Sequence, residues 1–136
     1  MANDIEYKPQ PMDNDSRAYW EGSGRHELVL QRCKACGTIQ HRPRALCVSC
    51  LSSEIEHFVA SGKGSVHTYT VTHQNQAPAF RQALPYVLAY VELEEGPRIL
   101  SNIVGCDPDT ISIGMPVQVE FVDVEGDLAV PRFRPG

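Results

Sequence analysis

The 136 residues carry 12 Lys plus Arg against 17 Asp plus Glu, 42% hydrophobic side chains and a single Trp, which suits one compact domain or two very small ones. No apolar run approaches the ~18 to 20 residues of a bilayer span, which argues against a transmembrane helix, and the N-terminal stretch lacks a basic start followed by an apolar core, so no secretory signal and a cytoplasmic protein are expected. A net charge of −5 excludes the broad basic field on which long-range, non-specific attraction to nucleic acid depends.

Residues 1–12 hold two prolines, scattered charge and no apolar periodicity, and read as an extended arm that a partner could order. From Asp13 the pattern changes. Asp15 or Ser16 can cap a helix, Ala18, Tyr19 and Trp20 follow, and Gly22 and Gly24 end it. So short a helix is marginal in isolation, so Tyr19 and Trp20 must pack either on the rest of the chain or on a second protein. Leu28 to Gln31 and Thr38 to His41 read as the arms of a tight hairpin with Cys33 and Cys36 at its tip, and Cys47 and Cys50 sit in a similar turn.

After Ser61-Gly62, Val66, Thr68, Thr70 and Thr72 alternate against His67, Tyr69, Val71 and His73, the period of a strand with two differently used faces. A proline-containing loop from Gln74 to Pro85 leads to a strand over Tyr86 to Leu93, a Glu95-Gly96-Pro97 turn and a strand over Arg98 to Val104. Asp107-Pro108-Asp109 begins a turn or helical turn. Gly114-Met115-Pro116 opens a strand over Val117 to Val124, and Glu125-Gly126-Asp127 turns into a last strand, Leu128 to Phe133. Five short antiparallel strands predict a small closed or partly open β-barrel of the OB type, with an SH3-like barrel as the alternative. The expected fold is α+β at the start and mainly β thereafter: an arm and helical segment over 1–27, a cysteine ribbon over 28–61 and the barrel over 62–136.

Cys33-Lys34-Ala35-Cys36 and Cys47-Val48-Ser49-Cys50 form two C-x2-C pairs ten residues apart. A two-residue spacer forms a tight knuckle that aims two thiolates at one ion, and four of them fill a tetrahedral Zn²⁺ with no open position, which makes the ion structural. The gap is shorter than the ~15 to 20 residues of the common paired-knuckle pattern, yet it can run out and back as a two-stranded ribbon. A rubredoxin-type iron centre uses the same ligands. With no electron-transfer or flavin motif in the chain, zinc is the expectation and iron the alternative. About 32 residues cannot build a sizeable core, so the ion should supply folding energy to the ribbon.

Residues 25–61 carry five basic and three acidic side chains, a net +2 between segments of −3 and −4. Arg32, Lys34, Arg42 and Arg44 cluster there, with Arg25 and Lys63 at the borders. They either compensate the −2 of a four-thiolate zinc or form a phosphate-binding rim, since guanidinium groups match phosphate oxygens bidentately. Pro78, Phe80 and Arg81 lie in a loop that can line an apolar slot or a partner surface, or simply be exposed. Cys106 stands alone and reads as a small buried hydrophobe rather than a nucleophile. His26, His41, His57, His67 and His73 are scattered. No carboxylate pair, Gly-rich phosphate loop or nucleophile elbow occurs, so no catalytic residue is assigned.

The order Tyr19-Trp20-Glu21-Gly22, Gln31-Arg32-Cys33 to Cys36-Gly37, Arg42-Pro43-Arg44, Cys47 to Cys50, Gly62-Gly64 and Val66, Pro85-Tyr86, Ser101 to Cys106, Gly114-Met115-Pro116-Val117 and Pro131-Arg132-Phe133 resembles the DUF35 family. It departs only at Leu51, where a Gly often follows the last Cys. The resemblance implies a helical segment, a rubredoxin-like zinc ribbon and an OB-fold. It also implies an accessory protein of acyl-CoA enzymes, in heteromeric assembly with a thiolase-fold partner (thiolase, acyltransferase or aldolase) that holds the reactive groups. On that reading Arg32, Lys34, Arg42, Arg44, Pro78, Phe80 and Arg81 are candidates for acyl-CoA or partner contact, and Tyr19 and Trp20 for partner contact. The alternative is a module that stacks single-stranded nucleic acid on aromatic side chains over a basic groove; the acidic barrel segment, with few aromatics on its strands, argues against it.

Overall fold

The computed structural model describes Ile5 and residues 12–136, so the rest of the expected arm lies outside the described residues. Helix α1 spans Arg17–Gly24. Ser16 occupies the N-cap position without using its side chain as a cap. Instead its amide donates to Asp13 Oδ1 at 2.7 Å and its hydroxyl faces the Asp13 amide at 3.4 Å, a reciprocal turn one step upstream. Gly22 and Gly24 lie inside the last helical turn and are there for close approach. A Cβ on Gly22 would run into the Val29 side chain and one on Gly24 into the Asp127 carbonyl.

Strands β1 (Val29–Cys33), β2 (Ile39–Gln40) and β3 (Ile55–Val59) form a three-stranded antiparallel sheet in the order β2-β1-β3. The hairpin expected around the first cysteine pair forms as β1 and β2, and β3 joins it as a third strand not expected from sequence. Residues 55–59 mix Glu56 and His57 with apolar side chains and carry no local strand signal; pairing of Leu30 with Phe58 and Cys33 with Ile55 makes them a strand.

Strands β4 (Lys63–Thr72), β5 (Tyr86–Leu93), β6 (Arg98–Ile103), β7 (Pro116–Val124) and β8 (Leu128–Pro135) close a barrel in the order β4-β5-β6-β8-β7, with β7 returning to β4. This is the expected five-stranded OB-type barrel, with one difference. The strands are not all antiparallel, because β6 and β8 meet in parallel at Ile103 and Phe133, the pairing that closes the cylinder. Short helix α2 (Pro78–Arg81) and a 3₁₀ turn at Pro108–Thr110 fill the two longer connections. Along β5, Val87, Ala89, Val91 and Leu93 point inward while Leu88, Tyr90 and Glu92 face out, as alternation predicts. In β4 a bulge between Val66 and Thr68 shifts the phase. Val66 is buried above it, and Tyr69 and Val71 rather than the threonines turn inward below it.

One hydrophobic cluster runs through all three segments. Tyr19 of α1, Leu28 and Leu30 around β1, and Ala60 pack with Val66, Val87, Val91, Ile103, Val117 and Phe133 of the barrel. The ribbon therefore does not depend on the ion alone, because its first strand shares the barrel's core. Among the described residues no helix is long and apolar enough to cross a membrane.

Candidate functional site

The two cysteine pairs fold as near-copies of one another. Cys33 N donates to Thr38 O and Gly37 N to Cys33 O; in the second knuckle Cys47 N donates to Ser52 O and Leu51 N to Cys47 O, all within 2.8 to 3.0 Å. Each knuckle needs a left-handed residue after its second cysteine. Gly37 supplies it at φ +81°, and Leu51 is held there at φ +65°. The family-like departure noted in the sequence is thus a strained position.

The four sulfurs lie within 4.8 Å of one another, with Cys33–Cys50 and Cys36–Cys47 at 3.6 Å. Zn–S bonds of about 2.3 Å in a tetrahedron put sulfurs about 3.8 Å apart, so the set fits a four-thiolate ion. Cys33 and Cys47 are buried, Cys36 and Cys50 exposed, so the site sits at the rim of the ribbon. Without a cation the thiols divide. The amides of Cys50 and Ser49 hold Cys47 down at about 6, and the Thr38 hydroxyl and amide hold Cys36 below the ordinary thiol range. Cys50 also receives the Ser52 amide, but the sulfurs of Cys33 and Cys36 outweigh it and push Cys50 up to about 12. Oriented amides favour thiolates here, and only a cation relieves the crowding among them. The cluster is a metal site.

Beside it runs a cleft between the inter-knuckle loop and the barrel. Arg42, Arg44 and Val48 line it from the ribbon and Tyr90, Arg98 and Leu100 from β5 and β6, around about 360 Å³. It continues toward α1 past His41 to Tyr19 and Trp20. His41 packs on Tyr19 with ring centroids 5.3 Å apart, and burial with the neighbouring Arg42 charge lowers its pKa to about 4. His41 is thus a neutral packing residue, not a fifth ligand.

The structure sorts the residues singled out from sequence. Arg32 stacks 4.1 Å above the Phe58 ring and faces Glu56 Oε1 at 3.4 Å, so its charge is engaged within the ribbon. Lys34 is exposed on the first knuckle and does not line the cleft. Pro78, Phe80 and Arg81 sit on α2, also outside the cleft. Phe80 packs on Tyr86 and joins a small cluster with Ile5 and Ala83, while Arg81 Nη2 donates to the Gln76 carbonyl. Tyr19, expected as a partner contact, is only 7% exposed; its ring belongs to the core, and only half-buried Trp20 keeps a face to the cleft. Sequence reasoning missed Arg98, Tyr90 and Leu100, because no local signal on β5 or β6 indicates that the ribbon lies across them. It also missed Gln31 and Gln40, which hold the inter-knuckle loop.

Two family models match: the rubredoxin-like zinc ribbon domain of ChsH2 over residues 20–56 and its C-terminal OB-fold domain over residues 59–122. A DUF35 domain-containing scaffold protein of Methanocaldococcus jannaschii is 44% identical over 105 residues, covering 76% of this chain and 73% of that protein. The chain belongs to the DUF35 family. A solved structure titled Ltp2-ChsH2(DUF35) aldolase superposes with a TM-score of 0.84 at 40% identity, over 93% of this chain and 98% of that one. A probable enoyl-CoA hydratase alpha subunit of Thermomonospora curvata is 43% identical over 129 residues. That match takes in 94% of the present DUF35 chain but only 40% of the hydratase subunit, so the chain spans about two fifths of that relative's length.

Proposed function

We propose that this DUF35 protein is a non-catalytic, zinc-binding cytoplasmic subunit that assembles with a thiolase-fold acyl-CoA enzyme and helps form or bridge its acyl-CoA site. One observation carries the reading. The tetrad sulfurs are turned onto one another in a closed four-cornered set, and although the cleft beside them holds His41, Asp13 and Asp15 among its arginines and apolar side chains, no nucleophile is hydrogen-bonded to a base there among the described residues. The Ser16 hydroxyl that lines the cleft is engaged with the Asp13 amide, and burial pushes the hydroxyl of Tyr19, packed on His41, well above the ordinary phenol range. Such a chain can hold an ion and a ligand while leaving bond-making to a partner. The names of the relatives, an acyl-CoA hydratase subunit, scaffold proteins and an aldolase subunit, support the same class. Zinc is favoured over iron because four thiolates in a closed shell without a redox partner suit a structural ion.

The test is a native pull-down from the source cell, with the captured complex assayed for metal and for acyl-CoA cleavage or condensation against the chain alone. A thiolase-fold enzyme with one zinc per copy of this chain, and turnover only in the complex, is the expected result. Recovery of the chain alone, or with nucleic acid, overturns it. The second reading, single-strand binding, draws on Tyr90, an exposed ring in the same cleft as three arginines.

A further inference from the structure

Strand β3 is an end strand of the ribbon sheet, and its outer side is open. The ladder to β1 fixes which of its backbone groups are already used. Lys34 N donates to Glu54 O and Ala60 N to Leu28 O, so Glu54, Glu56, Phe58 and Ala60 turn their amides and carbonyls toward β1. Ile55, His57 and Val59, in the alternate phase, turn theirs outward. The Ile55 amide donates to the Ser53 carbonyl. The amides of His57 and Val59 and the carbonyls of all three residues have no partner among the described residues.

None of the usual devices protects this edge. It carries no proline, lysine or bulge, its register with β1 is unbroken, and Ile55, Phe58 and Val59 are all strong strand formers. Val59 is 53% exposed. Beside it a groove of about 200 Å³ runs along α1, with Ala18, Val29 and Val59 as its apolar lining and Glu21, Arg25 and His57 as its polar lining.

The open edge is complementary to itself. Three outward positions centred on His57 let a second β3 pair antiparallel about a two-fold axis, so that His57 meets His57 of the other copy and Ile55 meets Val59. The exposed Val59 is then covered by an apolar neighbour. Between these pairs Glu56 lies opposite Phe58, a ring that carries the Arg32 guanidinium 4.1 Å from its centre, so each carboxylate approaches a cation of the other copy. Sliding one strand by two residues sets Glu56 against Glu56 or Ile55 against Ser61, which fixes the register.

We infer that β3 is a self-association edge: two copies of this chain join their three-stranded sheets into one continuous sheet through antiparallel pairing of Ile55–Val59, with His57 at the two-fold axis. The inference goes beyond the subunit reading and does not depend on it. The pairing supplies two backbone bonds at His57 and one from each Val59 amide to the Ile55 carbonyl opposite. So short a ladder makes the dimer a concentration-dependent equilibrium.

The zinc-loaded full chain is followed by sedimentation equilibrium from micromolar to near-millimolar concentration, with backbone hydrogen exchange read at both ends. A monomer–dimer equilibrium is expected, with the His57 and Val59 amides gaining protection as concentration rises. Those of Glu56 and Phe58, already bonded to β1, stay protected throughout. His57→Pro removes the axial donor without touching the ladder to β1, and Val59→Lys places a charge on the edge. Each should weaken dimerisation about tenfold or more with zinc content unchanged; should His57→Pro lose its zinc, Val59→Lys alone carries the comparison. A chain that stays monomeric with both amides unprotected overturns the inference, as does a dimer that Val59→Lys leaves intact. Protection that ignores concentration and disappears when residues 1–11 are deleted overturns it in favour of the chain's own N-terminal arm. Protection gained only with a captured thiolase-fold enzyme, and without a dimer, overturns it in favour of a strand from that enzyme and leaves the subunit reading standing. A β3 dimer in a chain that captures no such enzyme supports the inference and sinks the subunit reading.

Discussion

Gln40 and Gln31 face each other across the β1–β2 pair, and Gln40 Nε2 donates to Gln31 Oε1 at 2.8 Å in a buried contact. Between them the two amides satisfy the inter-knuckle loop. Gln31 exchanges bonds with both Arg44 N and Arg44 O at 2.9 Å, and Gln40 accepts from Val48 N at 3.0 Å and donates to Leu46 O at 3.2 Å. The loop that carries two cleft arginines and delivers the second knuckle is thus hung on side chains rather than on a ladder.

Gln31→Leu keeps the size of the side chain and removes its polar end, stranding the Arg44 amide and carbonyl together with the Gln40 amide. Each unsatisfied buried group costs about 1 to 3 kcal/mol, and water entering the loop limits the sum to about 2 to 4 kcal/mol. Chemical denaturation of the metal-loaded protein and a zinc-competition titration should both show the loss. An unchanged midpoint would mean that the loop holds its shape without the glutamine pair.

Leu51→Gly should stabilise the protein. A left-handed backbone costs a side-chain-bearing residue about 1 to 2 kcal/mol, and Leu51 is 71% exposed, so little packing is lost in return. The flexibility of glycine offsets part of the gain, leaving about 0.5 to 1 kcal/mol. Gly37→Ala is the mirror experiment. A Cβ there meets nothing within 4 Å, so its cost should be conformational alone and similar in size. Equal stabilities across Leu51→Gly and Gly37→Ala, measured as denaturation midpoints, would contradict the knuckle symmetry.

Cys47→Ser removes the thiol that the Cys50 and Ser49 amides hold at about 6, the one best prepared to bind a cation near neutral pH. The variant should come off the column without metal and should fail to capture its partner. Hydrogen exchange should localise the damage to residues 33–54, because Leu28 and Leu30 remain anchored in the shared core. Full metal content in Cys47→Ser would remove the four-thiolate assignment.

His41 links stability to acid. Its folded pKa of about 4 lies below the usual 6.5, so between those values the unfolded chain binds a proton that the folded chain does not. Stability from this group is therefore complete above about pH 6.5 and is lost as pH falls toward 4, by about 2 to 3 kcal/mol. His41→Phe retains the ring against Tyr19 and cannot titrate. Denaturation at pH 7.5 and pH 5 should show a smaller acid loss in the variant; the tetrad, common to both proteins, cancels in the comparison. Identical slopes would assign the acid sensitivity elsewhere.

Cys106 is half-buried against the main core and bonded to nothing in the tetrad. Cys106→Ala should cost about 1 kcal/mol of stability and leave turnover of the complex intact. A large loss of turnover with assembly preserved would mean that this chain supplies chemistry.

What could be read directly from the residues was local. A two-residue spacer between cysteines forces a knuckle whatever surrounds it, and the spacing alone marked Cys33, Cys36, Cys47 and Cys50 as one set. Alternation over Tyr86 to Leu93 and the turn signals around Gly96, Gly114 and Gly126 placed the barrel strands to within a residue or two, because side-chain period and turn chemistry are properties of the chain itself.

Tertiary structure decided what depends on distant segments meeting. Residues 55–59 become a strand only because β1 offers them a free edge, and the bulge after Val66 reverses which side of β4 is buried. Tyr19 enters the core only because α1 lies against β8, and the barrel closes through a single parallel pairing. Arg42 and Arg44 stood in the sequence as two basic residues near a metal site. Their place beside Arg98 and Tyr90, more than forty positions further along, follows from ribbon and barrel packing around one apolar core, a burial that no local pattern encodes.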